Sequence, residues 1–434
     1  MSRSISVAAV SLLAGAVLGA GAMWTIERAG TLDLARQAKR AAMLTEENAR
    51  LHGLVEASEK AKAMAANKAQ REEIERQVIA IRGLTFKTPV DYNVLTRQQI
   101  KATISGKLAE VFSEQEFADM TAALAVLGLL PEGFPLRQKY IDLLGEQVAA
   151  FYDQHQHKLF MYEDASLENS QNRVVLAHEL THALQDQHFG LKRLPLEIKT
   201  NDDMAAAASA LVEGEATLVM SEYMMKNLSL KALKDNAVAS ITQNMSELSS
   251  APRYLREMLV FPYLRGQEFC SSLYGGGGYA AVSAAYERPP TSTAQILHPE
   301  KFFRDPREEP TAIEWPDVMV NGKKPVADNV LGEMGMRIQI AQYTDDRTGE
   351  DAANGWRGDR YLCYESGRGF AWKSVWASEA DAADFAAAQM KVIAARKDRA
   401  ARRMEVKQTG VSVLLIDAAD EEWLRTLTEK FSER

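Results

Sequence analysis

Cysteine is scarce in this sequence. The 434 residues include only Cys270 and Cys363, and no CxxC motif occurs. This count argues against a disulfide framework and against a metal site built from thiolates. A single disulfide between these two cysteines stays an alternative if the chain is exported.

Long runs of basic residues are also lacking. The formal net charge is −8, and Lys and Arg form no long block. Nucleic-acid binding needs a basic patch or stripe, so the sequence predicts no nucleic-acid partner. With 46% hydrophobic and 25% charged residues the composition is that of a folded protein, and the length suits two or three structural units.

Charge is absent from residues 5–26, which read ISVAAVSLLAGAVLGAGAMWTI. About 20 apolar residues suffice to cross a bilayer as a helix. Residues 1–26 are therefore either an uncleaved membrane anchor or a signal peptide cleaved near Ala20-Gly21-Ala22. We expect a protein attached to a membrane through this helix, with its main domain outside the cytoplasm. The alternative is secretion after signal cleavage.

The rest of the chain divides into three segments by composition. Residues 27–82 lack proline and are rich in Ala, Glu, Lys and Arg. They predict a helical stalk, either a coiled coil that allows self-association or a lone solvated helix. Residues 83–328 carry mainly helical patterns, and residues 329–434 predict a small α+β domain of strands and helices. The expected fold class is α+β and mostly helical.

Local patterns in the middle of the chain predict a hairpin and two long helices. The expected elements are strands at 151–152 and 159–162, a helix over 172–189 and a helix over 202–226. Gly190 is placed to end the first helix, and Asp202 or Asp203 to cap the second. The four glycines Gly275–Gly278 lack the Lys-Ser/Thr of a phosphate loop and predict a flexible link.

The strongest motif is His-Glu-Leu-Thr-His at residues 178–182. Positions four apart lie about 40° apart around a helix, so His178 and His182 can bind one ion. Glu179 lies one step round, where its carboxylate can take a proton from a water at the metal. The motif predicts one Zn²⁺ per chain, held by His178 and His182, with Glu179 as the catalytic base.

Two residues compete for the role of third ligand. His188 has the spacing HExxHxxGxxH, but Gln185 occupies the glycine position at which the chain would leave the helix. If the helix continues, His188 lies about 9 Å beyond His182 and about 120° round. Glu213 lies in the apolar segment ALVEGEAT, where a carboxylate needs a partner. Glu213 is the preferred ligand and His188 the alternative.

The HExxH helix followed by a helix with a glutamate resembles the gluzincin branch of the zincin metallopeptidases. Glu213-Gly214-Glu215-Ala216 is similar to the EGxA and ExxA(D) motifs of that branch, whose first glutamate binds the metal. The resemblance thus implies a zincin-like catalytic domain over residues 83–328 and a role for Glu213 as ligand. Thr217 stands where some members have an Asp that orients a ligating histidine, and Asp186 is the candidate to replace it.

The chain also resembles an uncharacterised family of bacterial metallopeptidase-like proteins. The matching segments are EQVAAFYD, HELTHALQDQHF, ALVEGEAT, FPYLRGQEF, RPPTSTAQILHPEKF and GWRGDRY. They span most of residues 83–390 and imply a hydrolase without naming its substrate.

Weaker candidates lie outside the motif. In zincins an edge strand before the metal helix pairs with the peptide substrate, and Leu159–Tyr162 stands in that place, although a plain structural hairpin is an equal interpretation. His298, Tyr263 and Tyr286 are each able to donate a hydrogen bond to a developing oxyanion.

Together these features predict a zinc-dependent peptidase that hydrolyses peptide or protein substrates. The alternative is a non-catalytic envelope scaffold or binding module that is tethered to the membrane and retains a zincin fold. The presence of Glu179 argues against this alternative, because a structural zinc site needs no base.

The anchor interpretation gives the first prediction. Deleting residues 1–30 should move the protein from the membrane fraction to the soluble fraction, because the only long apolar segment is removed. Fractionation of full-length and truncated protein, with sequencing of the mature N-terminus, measures this. A full-length chain that is soluble and uncleaved would show that residues 1–26 are not an anchor.

Overall fold

The computed structural model describes residues 67–434, apart from 148–149, 164, 230, 232–244, 316, 397–400 and 432–434, together with Met43 and Arg50. The predicted anchor and most of the predicted stalk lie outside the described residues. Among the helices that are described, none combines the length and apolarity needed to cross a membrane.

The described residues form a mostly helical α+β structure, as the sequence predicts. The helices are α1 (67–82), α2 (Arg97–Val111), α3 (Glu114–Val126), α4 (Leu136–Gln147), α5 (Ser170–Phe189), α6 (Asp202–Asn227), α7 (Met245–Ser250), α8 (Arg253–Glu287), α9 (Thr293–Leu297), α10 (Pro299–Phe303), α11 (Gly332–Tyr343), α12 (Asp346–Ala353), α13 (Glu379–Ala395) and α14 (Glu421–Phe431). The strands are β1 (Asp91–Leu95), β2 (Ala150–Asp153), β3 (Lys158–Tyr162), β4 (Ala327–Asn329), β5 (Trp356–Tyr364), β6 (Gly369–Trp376), β7 (Arg403–Thr409) and β8 (Ser412–Ala418).

The strands form two sheets. The first has the order β1-β3-β2, with β1 parallel and β2 antiparallel to the central strand β3. The second is antiparallel throughout, in the order β4-β5-β6-β8-β7. The prediction of an edge strand at Leu159–Tyr162 is therefore wrong, because β3 is paired on both sides. The edge strand of this hairpin is β2.

Helix α1 is part of the main structural unit, which begins at Gln70. Ile74, Val78 and Ile81 are buried with side chains of α5 and α6 in one hydrophobic core. The last residues of the segment predicted as a stalk therefore pack in the core. The predicted boundary at residue 329 stays a prediction, and the largest core includes side chains from both sides of it.

Two local expectations need correction. The N-cap of α6 is Asn201, whose side chain accepts from Met204 N, so neither Asp202 nor Asp203 caps this helix. The run Gly275–Gly278 lies within α8, where only Gly277 and Gly278 leave helical dihedral angles, so it is a kink between two helical segments. Helix α13 ends at Ala395, and the polar segment Arg403–Thr409 pairs with β8 as edge strand β7.

Helices α6 and α8 approach each other at two glycines. A Cβ atom on Gly214 would lie 2.1 Å from the carbonyl carbon of Gly266, and one on Gly266 would lie 2.1 Å from the carbonyl oxygen of Ala210. Only glycine allows the two backbones to meet in this way. The contact fixes the position of Glu213, which directly precedes Gly214.

The glycine contact gives the second prediction. Gly266→Ala should lower the free energy of unfolding by about 1–3 kcal/mol or more, because the added methyl group meets backbone atoms that cannot rotate away. Chemical denaturation measures the change. Gly106→Ala in α2 is the matched control, since no atom lies within 4 Å of its Cβ position, and it should be neutral or slightly stabilising. Equal stability of the two variants would contradict the close approach of α6 and α8.

Candidate metal centre

Helix α5 carries the HExxH motif through the interior of the protein. Its N-cap is Asn169, and Gly190 ends it in the left-handed conformation, with φ 67°, as predicted. Every residue from Leu176 to Asp186 is buried. A helix buried on all sides must find partners for its polar side chains, and they come from α6, α8 and strand β2.

Three side-chain atoms converge between α5 and α6. His178 Nε2 lies 3.0 Å from His182 Nε2 and 3.1 Å from Glu213 Oε2, and His182 Nε2 lies 3.4 Å from the same oxygen. Atoms that bind zinc tetrahedrally at about 2.0–2.1 Å lie about 3.3–3.4 Å from one another. The observed triangle is slightly tighter than this and otherwise has the dimensions of a zinc site.

Glu179 borders the same site from α5. Its carboxylate lies within 4.8 Å of ligand atoms of both histidines. The backbone N–H of Tyr152, in edge strand β2, donates to Glu179 Oε2 at 2.8 Å. This bond orients the carboxylate, and Oε1 has no partner among the described residues. Glu179 is thus placed beside the triangle rather than as one of its corners.

Electrostatics within the triangle favour a cation. Burial acts to raise the pKa of the Glu213 carboxyl, but the neighbouring His182 and His178 outweigh it and hold that pKa below its usual range. Burial acts to lower the pKa of His182, yet Glu213 and Glu179 raise it to about 9. Without a metal, a proton on His182 compensates the buried carboxylates. Burial raises the pKa of Glu179 itself.

Gln185 fixes the orientation of the His182 ring. Its Nε2 donates to Val212 O at 2.9 Å and to Glu215 Oε2 at 2.8 Å, so its Oε1 must face His182 Nδ1, at 2.8 Å. The ring therefore donates from Nδ1, and in its neutral form Nε2 has a free lone pair. Metal-ligating histidines are commonly held in this way.

Glu215 anchors this arrangement from α6. Its side chain is fully buried and accepts from Arg82 of α1, from Gln185 of α5 and from Tyr286 of α8. Asp186, the residue expected to support the ligand, makes no side-chain hydrogen bond to His182. It accepts from Tyr152 Oη at 2.8 Å and pairs with His157 Nδ1 at 2.7 Å. Asp186 therefore holds the β2–β3 hairpin against α5.

The ring of His178 lacks a comparable support in the described residues. Its Nδ1 is buried without a hydrogen-bond partner, and so is the hydroxyl of Thr217. Thr217 occupies the position at which some gluzincins have an Asp that orients a ligand. Among the described residues, therefore, no other side chain supplies the hydrogen bond to His178 that such an Asp would provide.

Tyr263 reaches the site from α8. Its ring stacks on that of His178 with centroids 6.0 Å apart, and the charge of the nearby Glu213 carboxylate, together with burial, raises its pKa well above the usual value. The residue is 43% exposed, so it lies on the solvent side of the triangle. Tyr263 precedes Gly266 by one helical turn, and the glycine contact between α6 and α8 places it there.

The remaining candidates lie elsewhere. Helix α5 continues past Gln185, and His188 Nε2 is bonded to the carbonyl oxygen of Thr85 at 2.8 Å, so the geometry favours Glu213 as third ligand. His298 Nε2 is 2.7 Å from Glu333, and Tyr286 donates to Glu215. Neither side chain has a contact with the triangle.

Sequence reasoning missed the supporting role of Gln185, Glu215 and Arg82. In the sequence, Gln185 was notable only because it occupies the glycine position of HExxHxxGxxH. Glu215 was notable only as a second carboxylate close to Glu213. The missing signal was the partner of Glu215. Arg82 lies 133 residues away in the chain, and no local pattern connects the two.

Comparison with known protein families gives a match towards the C-terminal end of the chain. A family model described as a domain of unknown function (DUF8575) matches residues 319–428. Among the curated proteins no match was found, and among the solved structures none was found either. The matched residues do not include the triangle of His178, His182 and Glu213, nor Glu179.

The Gln185 hydrogen bonds give the third prediction. Gln185→Ala should weaken Zn²⁺ binding about 10–100-fold, because His182 loses the acceptor that orients its ring. Competition with a chromophoric chelator measures the affinity. Gln187→Ala is the matched control, since this side chain bonds only backbone groups of Lys87 and Thr88. Equal zinc affinity in the two variants would show that Gln185 does not support the site.

Proposed function

We propose that this chain is a zinc-dependent peptidase that hydrolyses peptide bonds at the triangle of His178, His182 and Glu213. The proposal rests on one observation above the others: three potential ligand atoms lie 3.0, 3.1 and 3.4 Å apart, with a carboxylate base beside them. The zincin-like character of the fold, which the sequence motifs imply, is part of the same proposal.

The donor set supports zinc. Two imidazole nitrogens and one carboxylate oxygen, with a fourth position left for water, are the ligands of His₂Glu catalytic zinc sites. A zinc ion held there would act as a Lewis acid and lower the pKa of a water towards neutrality. The buried carboxylates of Glu179 and Glu213 supply the negative charge that such an ion needs.

Glu179 would transfer the proton, and Tyr263 would stabilise the developing negative charge. The Tyr152 N–H holds Glu179 Oε2, which leaves Oε1 to accept a proton from the attacking water and pass it to the leaving amine. Tyr263 contributes a hydroxyl on the solvent side of Glu213, where it can donate to the oxygen of the scissile carbonyl. Both roles follow from placement on elements that the core holds fixed.

Strand β2 supports a peptide as the substrate. It is an edge strand of its sheet, and the backbone N–H of its Tyr152 donates to the proposed base. An extended peptide is able to add to such an edge by backbone pairing, which would bring its scissile bond beside Glu179. We therefore propose peptide or protein substrates. Attachment to a membrane through residues 1–26 and an extracytoplasmic active site remain the expectation from sequence.

The proposed base gives the fourth prediction. Glu179→Gln keeps the shape of the side chain but removes the proton acceptor. Hydrolysis of a fluorescent casein should fall about a hundredfold or more while zinc content stays at about one per chain. Zinc is measured by mass spectrometry on the same samples. Wild-type protein that binds zinc but cleaves no protein substrate would favour the alternative of a non-catalytic scaffold.

Ligand variants separate binding from catalysis. Glu213→Ala and His178→Ala should each lose zinc, because each removes one of three ligands. His188→Ala is the matched control on the same helix and should keep both zinc and activity. Loss of zinc in His188→Ala together with its retention in Glu213→Ala would move the third ligand to His188 and overturn the assignment.

A further inference from the structure

A second concave site lies at the start of α6, ten residues before Glu213. It is a cavity of about 420 Å³, within the range of small-molecule sites. Its walls are mainly apolar and include Met204, Ile313, Val330 and Trp356. The segments RPPTSTAQILHPEKF and GWRGDRY, which the metal centre does not use, contribute to its lining or its support.

One carboxylate at this cavity lacks a full set of partners. Asp203 lines the cavity and is only 2% exposed. Its Oδ1 accepts from the backbone N–H of Thr293 at 3.0 Å and from the Thr293 hydroxyl. That hydroxyl in turn accepts from Met334 N at 3.1 Å, so its proton is directed at Asp203. Oδ2 has no hydrogen-bond or ion-pair partner among the described residues.

The other charged groups at the cavity are already compensated. Asp359 accepts four hydrogen bonds, two on each oxygen, from Leu331 N, Gly332 N and the indoles of Trp356 and Trp372. Arg360 forms a bidentate pair with Asp328 at 2.8 and 2.7 Å. Glu309 is bonded to Arg307, Arg288 and Thr291. Asp203 thus differs from these neighbours in having one carboxylate oxygen without a hydrogen-bond donor.

The surroundings of Asp203 make this imbalance costly. Burial, together with the nearby carboxylates of Asp359 and Glu333, raises its pKa to about 7, against hydrogen bonds from Thr293 that lower it. A buried charge without a counter-ion is strongly unfavourable. A metal ion does not suit the site, because both oxygens of Asp359 are occupied by N–H donors and cannot act as ligands.

We propose that this cavity binds an amphipathic amine, a molecule with a mainly apolar body and one ammonium group that pairs with Asp203 Oδ2. The apolar walls receive the body and the carboxylate receives the charge. The ammonium group can belong to a free small molecule or to the N-terminus of a peptide. This site is separate from the metal centre and does not depend on the proposed hydrolysis.

Calorimetric titration of the full-length protein with 4-phenylbutylamine tests the proposal, with 4-phenylbutanol and 4-phenylbutyrate as matched neutral and anionic probes. The amine should bind saturably and about tenfold or more tighter than the alcohol, because charge-assisted hydrogen bonds to a buried carboxylate are strong. The carboxylate should bind most weakly. Absence of saturable amine binding up to about 10 mM, or tighter binding of the anion, would overturn the proposal.

Two variants assign the binding to this cavity. Asp203→Asn keeps an Oδ1 acceptor for Thr293, so the protein should fold, and it should lose the preference for amine over alcohol. Ala312→Trp, at an exposed position on the cavity wall, should weaken both probes by filling space. If Asp203→Asn fails to fold, Ala312→Trp decides the matter alone. An unchanged amine preference in folded Asp203→Asn, or unchanged amine affinity in Ala312→Trp, excludes the site.

The source of the ammonium group is distinguished by a peptide pair. Trp-Ala amide with a free N-terminus is compared with its acetylated form in the same titration. Tighter binding of the free form, lost in Asp203→Asn, assigns the site to peptide N-termini. Binding of 4-phenylbutylamine without binding of either peptide assigns it to free amines. Binding of the acetylated peptide as tightly as the free one would contradict recognition of the ammonium group.

Discussion

The buried carboxylate of Glu215 holds the centre of this protein together. It accepts from Arg82, Gln185 and Tyr286, which belong to α1, α5 and α8, while Glu215 itself belongs to α6. Removing one partner would leave a buried charge without compensation, which is among the most destabilising changes in a protein interior. Four helices are therefore fixed relative to one another by one side chain. The position of every ligand atom follows from this arrangement.

The same constraint reaches the metal centre through a single amide. Gln185 can satisfy Glu215 and Val212 only with its nitrogen, so its oxygen is left for His182. The glycine contact of α6 with α8 then sets the distance between Glu213 and Tyr263. On the other side, Asp186 holds the hairpin whose Tyr152 N–H orients Glu179. The proposed ligands and base are thus positioned by groups that do not themselves touch the triangle.

Whether a feature of this structure can be predicted from the sequence depends on how far apart in the chain the interacting residues lie. The ends of α5, the β2–β3 hairpin and the neighbourhood of His178, His182 and Glu213 follow from caps, periodicity and motif spacing, which are local. The edge position of β2 and the pairing of Arg82 with Glu215 could not be predicted, because both depend on segments distant in sequence. The strand at Arg403–Thr409 was missed because its side chains are mostly polar and suit a solvated helix as well.

Buried carboxylates in this protein differ in how they are compensated, and the difference separates structural from functional groups. Asp359 has two N–H donors on each oxygen, and Glu215 has an arginine, an amide and a hydroxyl. Both are complete without any added group. Glu213 has His178 and His182 beside it, and its charge helps to raise the pKa of His182 to about 9. Asp203 has donors on one oxygen alone. A folded protein retains such incomplete sites at a cost in stability, so Glu213 and Asp203 are carboxylates at which a bound ligand would add a favourable interaction.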